Sequence, residues 1–370
     1  MSANSLMKFL CKAMLLIVGV LTLTAGFIGC SKNDPPTTED YPVASPFVFN
    51  ISIDGTPLTR GSRMKPFEID RYGVYGIYGK RVFATNIIYQ KNEDGTWTAN
   101  GILNIPDGAV NFYSINASFA KKSAGGILDK LTMTTAKQTF TYTVPERTEE
   151  QFDLMYASSI GVNMKETQGN TGLSFKSALA GLNFTIVNKM DGDYTVTVGG
   201  FSVHNMINSG TFTFSTTTSN SGSWTEGTTR GKMERILDEP FVVPTTREYL
   251  VNKDTIFMVI PQAKTTKWKT KDTAPVSIAE ADAEGQTYMR LLCKIQSAEG
   301  IYLLGTANEY GEVYLPINAT KTTEGKTTTL TISFAGGYDI HGKPLSFGSG
   351  FVIEVDPWTE GTDEPVDIEF

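Results

Sequence analysis

The amino-acid sequence predicts an all-β protein built from β-sandwiches. Three observations carry that prediction. Apolar and polar residues alternate at period 2 through many short segments, as strands with one buried face require. Glycine, proline and asparagine punctuate those segments. Sustained helical periodicity is almost absent, and sandwiches are the architecture that buries such strands. Length sets their number. Of 370 residues, 29 read as a leader, and the remaining 341 exceed one ordinary domain of roughly 100–200 residues. Two domains in tandem are expected, over residues 46–190 and 191–370.

The leader is the first element. Lys8 and Lys12 precede an apolar run from Ala13 to Gly26, and Phe27-Ile28-Gly29 leads into Cys30. A basic region, an apolar region and a small residue before the cut describe a secretory signal peptide. Cysteine directly after the cut narrows residues 1–29 to a lipoprotein signal, with the Cys30 thiol as acyl acceptor. Phe27 stands where such signals usually carry leucine. Met1 to Leu6 add nothing to the signal, which can begin at Met7. The run is shorter than the roughly 20 apolar residues of a spanning helix. Two or three acyl chains, at about 0.8 kcal/mol per buried methylene, would hold the chain firmly at a membrane. Residues 30–45 are polar and proline-rich and read as a flexible tether.

Strands follow. Phe47, Phe49, Ile51 and Ile53 alternate with Val48, Asn50 and Ser52, and Asp54-Gly55 turns the chain. Pro57 to Arg63 is a polar loop holding Arg60 and Arg63, the kind of segment proteases reach. Tyr72 to Tyr78 and Arg81 to Tyr89 are strands. Asn92-Glu93-Asp94-Gly95 is a hairpin turn before Thr96-Trp97-Thr98. Val110 to Ala117 and Gln151 to Ala157 continue the series. Leu173 to Leu182 reads as a short helix that runs into a strand, Asn183 to Asn188. The polar stretch Asn188 to Asp193 is the expected domain boundary.

Beyond it the grammar repeats. Tyr194 to Val198, Phe201 to Val203 and Gly210 to Phe214 are strands, followed by a Thr/Ser loop to Trp224. Thr255 to Ile260 is a buried strand stopped by Pro261-Gln262. Met289 to Ile295, Ile301 to Leu304, Tyr314 to Pro316, Thr327 to Phe334 and Phe351 to Pro357 follow. The last segment alternates apolar with acidic residues. Val366, Ile368 and Phe370 share one face, and Asp367 and Glu369 the other. It reads either as an edge strand of its own domain or as a strand for another sheet.

Composition excludes several functions. Without the leader the chain holds 30 basic and 39 acidic residues, a formal charge of −9, so no basic face for nucleic acid is expected. Cys11 leaves with the leader and Cys30 would carry lipid, so Cys293 has no disulfide partner in the mature chain. Within Leu291-Leu292-Cys293-Lys294-Ile295 it reads as a small apolar residue on a strand. His204 and His341 are too few for a His/Cys zinc site, and neither lies in a nucleophile motif. No catalytic residue, metal ligand or cofactor is expected, and the chain is not expected to be an enzyme.

Several segments, taken in order, resemble the fimbrillin family, the type V pilin subunits. Phe152-Asp153-Leu154-Met155-Tyr156-Ala157 resembles its Asp-Leu-Leu-Tyr-Ala stretch. Phe175-Lys176-Ser177-Ala178-Leu179-Ala180 resembles Phe-Lys-His-Ala-Leu-Ala, with Ser177 where histidine is usual. Gly210-Thr211 followed by Trp224, Met258 to Gln262, Tyr314-Leu315-Pro316, Gly325-Lys326 and Val355-Asp356-Pro357-Trp358 are similar to later landmarks. Ser31-Lys32-Asn33-Asp34 resembles the short lysine-plus-acid signal that sends some lipoproteins to the outer cell surface.

The resemblance implies two transthyretin-like β-sandwiches in tandem and assembly by exchange of strands. In that scheme a lipidated precursor reaches the outer membrane, and a trypsin-like protease cuts after an arginine of the first-domain loop. The first strand leaves, and a C-terminal strand of another subunit fills the groove by β-augmentation. The cut maps onto Arg60, with Arg63 as back-up. The displaced strand maps onto Phe47, Phe49, Ile51 and Ile53, and the donor onto Val366, Ile368 and Phe370. The implied function is a stalk or tip subunit of a cell-surface fimbrium serving adhesion. Its implied partners are other fimbrial subunits, in a homo- or hetero-polymer, and a host or bacterial surface ligand. Two alternatives stand beside it. A lipid-retaining fimbrial anchor needs no cleavable arginine at residue 60. A surface glycan-binding lipoprotein would use Trp97, Trp224, Trp268 or Trp358 as a stacking platform, although packing is the ordinary role of such rings.

Overall fold

The structure, a computed structural model, describes residues 49–53, 69–116, 127–167, 171–246, 249–250, 256–266, 268, 276–317, 321–345 and 354–355. Outside them lie the leader, the tether with Cys30, and also Phe47, Arg60, Arg63, Trp358, Val366, Ile368 and Phe370.

Strands dominate. In chain order they are β1 (Asn50–Ile53), β2 (Arg71–Tyr78), β3 (Arg81–Lys91), β4 (Trp97–Ala99), β5 (Ala109–Ile115), β6 (Lys130–Met133), β7 (Gln138–Thr143), β8 (Met155–Asn163), β9 (Gly172–Ser177) and β10 (Ala180–Asn188). Then come β11 (Thr195–Ile207), β12 (Ser209–Phe214), β13 (Gly222–Glu226), β14 (Arg230–Val242), β15 (Tyr249–Leu250) and β16 (Phe257–Val259). A helix, α1 (Ile278–Ala283), precedes β17 (Tyr288–Gln296), β18 (Tyr302–Leu304), β19 (Gly311–Pro316), β20 (Thr327–Phe334), β21 (Gly337–Tyr338), β22 (Pro344–Leu345) and β23 (Glu354–Val355).

The strands make two packed pairs of sheets. In the first pair a seven-stranded sheet runs β1-β9-β8-β5-β2-β3-β4, and a four-stranded sheet runs β13-β12-β7-β6. Tyr75, Tyr113 and Tyr156 of the larger sheet meet Phe140, Phe212 and Phe214 of the smaller. The opposite face of the larger sheet has its own core around Tyr72, Tyr89, Phe112 and Phe175. β2 therefore buries both faces, which its run of aromatics and glycines permits. In the second pair, β10, β15, β16, β20 and β23 face β11, β14, β17, β18, β19, β21 and β22. Phe184, Ile186, Leu330 and Ile332 pack on Phe201, Met289, Leu291 and Cys293 between them. The all-β sandwich class read from the sequence is the class observed. Cys293 is fully buried on β17, and burial pushes its thiol up to about 12.

Four features depart from the sequence reading. Leu173 to Leu182 is not a helix: β9 ends at Ser177 and β10 begins at Ala180. Ala178, Leu179 and Ala180 are all fully buried, so the chain changes sheets there without a polar face to mark it. The two short strands expected at Tyr194–Val198 and Phe201–Val203 are one strand, β11, with a register shift at Gly199. The Tyr310 ring lies over Gly199, where a Cβ would stand 2.4 Å from a ring carbon. Strands β6, β7 and β14 and helix α1 were not anticipated. Finally, β12 pairs with β7 from Ser209↔Thr143 to Thr213↔Thr139, so hydrogen bonds cross the position near residue 190 where a boundary was drawn.

α1 is short, and its start is specified locally. Ser277 accepts from the Glu280 amide, and the Glu280 side chain accepts from the Ser277 amide, a capping box. The helix buries Ile278 and Ala281 beside Trp268, Tyr288, Tyr314 and Tyr338, on the outer face of the second pair. His204 sits next to this cluster. Its ring stacks on Tyr288 at 4.6 Å. The Tyr288 hydroxyl donates to Asp282 Oδ1 at 2.9 Å, so it accepts from His204 Nδ1 at 3.2 Å. His204 Nε2 then accepts from Ser202 Oγ at 2.8 Å. This is the neutral imidazole. Burial first, then the nearby Arg290 guanidinium and, more weakly, Lys232, push its pKa down to about 4, against Asp282 and Glu234.

A pH dependence follows. The unfolded chain takes up this proton near the ordinary value of 6.5, and the folded chain only near 4. Folding therefore loses stability as pH falls through that window. Thermal melts at pH 7 and pH 4.5 should show a larger drop for the wild type than for His204→Gln, which has no proton to gain. Equal drops would remove His204 from the acid response.

Candidate functional site

Among the described residues β1 is an edge strand with one neighbour. It runs parallel to β9, with Asn50↔Gly172, Ile51↔Leu173, Ser52↔Ser174 and Ile53↔Phe175 in register. The Asn50 amide donates to the Thr171 carbonyl at 3.0 Å. Its alternation aims Phe49, Ile51 and Ile53 at one side, but their burial differs. Phe49 is 2% exposed, Ile51 is half-buried, and Ile53 is 36% exposed. Phe49 is the anchor: its ring meets Phe112 at 5.0 Å and Tyr89 at 5.7 Å, both edge-on. Among the described residues of the candidate displaced strand, one side chain thus enters the core completely.

The strand beneath β1 is itself lightly held. β9 pairs with β8 at Met155↔Ser177 and Tyr156↔Lys176, and toward Gly172 the two strands diverge. There Ser159 Oγ donates to the Gly172 carbonyl at 2.5 Å. The β8 amides left by the divergence are capped from the β12–β13 turn. Ser158 donates to Asn220 Oδ1 and Ile160 to Ser219 Oγ, each at 2.9 Å, and the Asn220 amide returns a bond to the Ser158 carbonyl at 3.1 Å. The Thr/Ser loop read as low complexity is therefore an edge cap.

At its far end β9 enters the seam between the two pairs of sheets, where several of the family-like segments converge. Ser177 Oγ donates to Asp153 Oδ2 at 2.7 Å. The Ala178 amide donates to the Leu154 carbonyl at 2.7 Å, and the Ala178 carbonyl accepts from Trp224 Nε1 at 2.6 Å. The Leu179 carbonyl accepts from Gly325, and the Gly181 amide donates to the Lys326 carbonyl. Tyr156 donates its hydroxyl to Glu324 Oε1 at 2.8 Å, and Lys176 Nζ lies 3.2 Å from the same oxygen. Burial, helped by that carboxylate, holds the Tyr156 phenol far above its ordinary pKa. Gln151 Oε1 accepts from the Met258 amide, and Gln262 accepts from the Ile207 amide while donating to its carbonyl.

The structure thus locates Phe49, Ile51 and Ile53 on one edge strand. Arg60, Arg63, Cys30, Phe47 and the Val366-Ile368-Phe370 face fall outside the described residues, so no geometry joins them to it. Three tryptophans are packed to different degrees: Trp268 is fully buried, while Trp224 and Trp97 are half-buried, Trp97 against Tyr72 at 4.9 Å. Among the described residues, no group of three or more His, Cys, Asp or Glu is placed to hold a metal ion. No described helix is long and apolar enough to cross a membrane.

Comparison with known proteins gives one broad match. A family profile described as fimbrillin-like covers residues 59–352. No curated protein matches the sequence. Among solved structures, a fimbrial protein from Bacteroides vulgatus ATCC 8482 is similar over 71% of this chain and 88% of its own, with 13% identity and a TM-score of 0.45. A suspected cell-adhesion protein from Bacteroides eggerthii DSM 20697 is similar over 83% of this chain and 92% of its own, with 15% identity and a TM-score of 0.43.

The seam is the part of this geometry most open to test. Ser177→Ala removes the donor to the buried Asp153 side chain, and leaving a buried polar group without that bond costs about 1–3 kcal/mol. Urea unfolding should report a loss of that order. A change within error would mean that Asp153 is held by its other contacts.

Proposed function

The chain belongs to the fimbrillin-like family, and from that premise we propose that it is a structural subunit of a cell-surface fimbrium, assembled by proteolysis-triggered exchange of β1. The observation that carries the reading is the state of β1: an edge strand with one parallel partner and one deeply buried side chain. Such a strand forms readily while the chain tethers it and separates readily once it is cut free.

In this reading the precursor is lipidated at Cys30 and held at the outer membrane. A trypsin-like protease cuts after Arg60, or Arg63, and residues up to the cut depart. The place between Tyr89 and Phe112 that Phe49 fills then opens, along with the edge of β9. Val366, Ile368 and Phe370 of another subunit, the same chain or a related one, supply the replacement. β23 runs antiparallel to β20 through Ile332↔Val355, and the ten residues between Val355 and Val366 can span about 35 Å when extended. That reach suffices for a neighbour. Two tandem transthyretin-like sandwiches are the domain organisation we propose, with the β12–β13 hairpin assigned to the first. Adhesion to a host or bacterial surface is the proposed use of the polymer.

Cleavage is tested with both arginines changed. Arg60→Ala with Arg63→Ala should leave a lipidated monomer, because β1 stays on β9 and occupies the donor's place. Polymers of normal length from that variant, on gels run without boiling, would show that the cut is not the trigger.

The donor strand is tested at adjacent positions. Ile368 belongs to the apolar face, and burying it contributes about 1.5–3 kcal/mol, whereas Glu369 lies on the other face. Ile368→Asp should abolish ladders of polymer and Glu369→Ala should leave them, with circular dichroism unchanged in both. Equal polymerisation by the two variants would remove the tail from this role.

A further inference from the structure

The end of the second pair of sheets remote from the seam carries an exposed apolar run. β17 turns through Ser297–Gly300 into β18, and the turn is closed by Ser297 N to the Ile301 carbonyl at 2.9 Å. Ile301 is 62% exposed, Tyr302 39% and Leu303 40%. Three consecutive exposed apolar residues at a hairpin tip are unusual for a surface facing only water. The neighbouring turn flanks them, since Thr195 pairs with Gln296. It presents Asp191 and Asp193, and the hairpin itself presents Glu299; all three are exposed, with Lys189 beside them. The tip is therefore apolar with an acidic rim.

The end of the first pair of sheets remote from the seam has the complementary character. In the first pair of sheets β2 turns into β3 through Gly79-Lys80, remote from the seam, because Ile77↔Asn111 lies at the far end of a ladder whose seam-side end is Gly73↔Ile115. Lys80 and Arg81 are exposed there, beside the half-buried ring of Tyr78. The next loop pairs Lys165 with Asp107 and adds one exposed carboxylate, Glu166, so Lys80 and Arg81 leave this end with a net positive charge.

We propose that the Ile301-Tyr302-Leu303 tip seats against the Lys80–Arg81 turn of a second copy, so that consecutive subunits abut end to end. This rests on the fimbrial reading and adds to it a contact independent of any exchanged strand. The apolar run excludes water at the centre of the contact, and the opposed charges at its rim fix which ends meet. An anionic membrane surface is disfavoured as the occupant by the same three carboxylates.

Paired cysteines test the contact on assembled fimbriae. With Glu299→Cys and Lys80→Cys in one chain, a short bis-maleimide should join subunits into a covalent ladder on a denaturing gel, and either single variant should not. Charge exchange is the second measurement. Glu299→Lys should shorten fimbriae several-fold, and adding Lys80→Glu should restore them. Fimbriae of normal length without cross-links, or single variants that cross-link equally, would overturn the contact and leave the fimbrial reading standing. Absence of any polymer from the unmodified chain would overturn that reading, and this contact with it.

Discussion

Among the described residues the chain passes between the two pairs of sheets three times, at β9–β10, β11–β12 and β13–β14, and the crossing from Ser177 to Ala180 is the most deeply buried. Among the described residues the pairs share no continuous ladder, and one isolated bridge joins Arg147 and Glu234. The crossing is fully buried, so its backbone groups cannot turn to water, and an unmet group there costs about 1–3 kcal/mol. Three other segments supply partners there: Leu154 to the Ala178 amide, Trp224 to the Ala178 carbonyl, and Gly325-Lys326 to the Leu179 carbonyl and the Gly181 amide. Several of the segments that make the sequence look like a fimbrillin meet at this seam: Phe152–Ala157, Phe175–Ala180, Trp224, Met258–Gln262 and Gly325-Lys326. Their spacing along the chain is explained by one local problem, how to pass a strand between two sheets without stranding a peptide group.

Much of this was legible in the sequence, for a physical reason. Thr327 to Phe334 alternates without a break because one face meets the core and the other does not, and β20 spans those residues. The reading failed where that asymmetry vanishes. Leu173 to Leu182 looked helical because both sides of the crossing are buried. β14 went unseen because its pattern is charged and half-exposed on a sheet edge. Helix α1 is too short to show a period, yet its Ser277 and Glu280 spelled out a capping box. The pairing of β12 with β7 is a non-local fact that order along the chain does not encode. At the candidate site, the alternation of Phe49, Ile51 and Ile53 was legible, and the gradient of burial along them was not.

The free edges of the sheets are managed unequally, and that inequality distinguishes β1. Exposed edges invite strand addition, and proteins blunt them with charges, proline and bulges. β14 uses all three: Arg235, Asp238 and Glu239 line it, Pro240 lies within it, and its register against β11 shifts between Ile236 and Phe241. The edge of β8 is covered by Ser219 and Asn220. Among the described residues β9 is covered on that side by β1, a strand attached by a single fully buried aromatic anchor.

That arrangement has a consequence for how a cut could act. Phe49 contributes about 1.5–3 kcal/mol by burial, and a four-residue parallel ladder with half-exposed side chains adds little more. Such an interaction between separate molecules would be weak. Within one chain it is strong enough, because a short linker holds the strand at an effective concentration in the millimolar range. Cutting the linker changes none of the contacts. It removes the effective concentration, and the strand dilutes away from β9. A replacement that buries three apolar residues where β1 buries one gains the place by free energy rather than by any change in the groove. In the proposed assembly the protease therefore supplies no energy to the fold; it ends an advantage that connectivity had lent to the weaker strand.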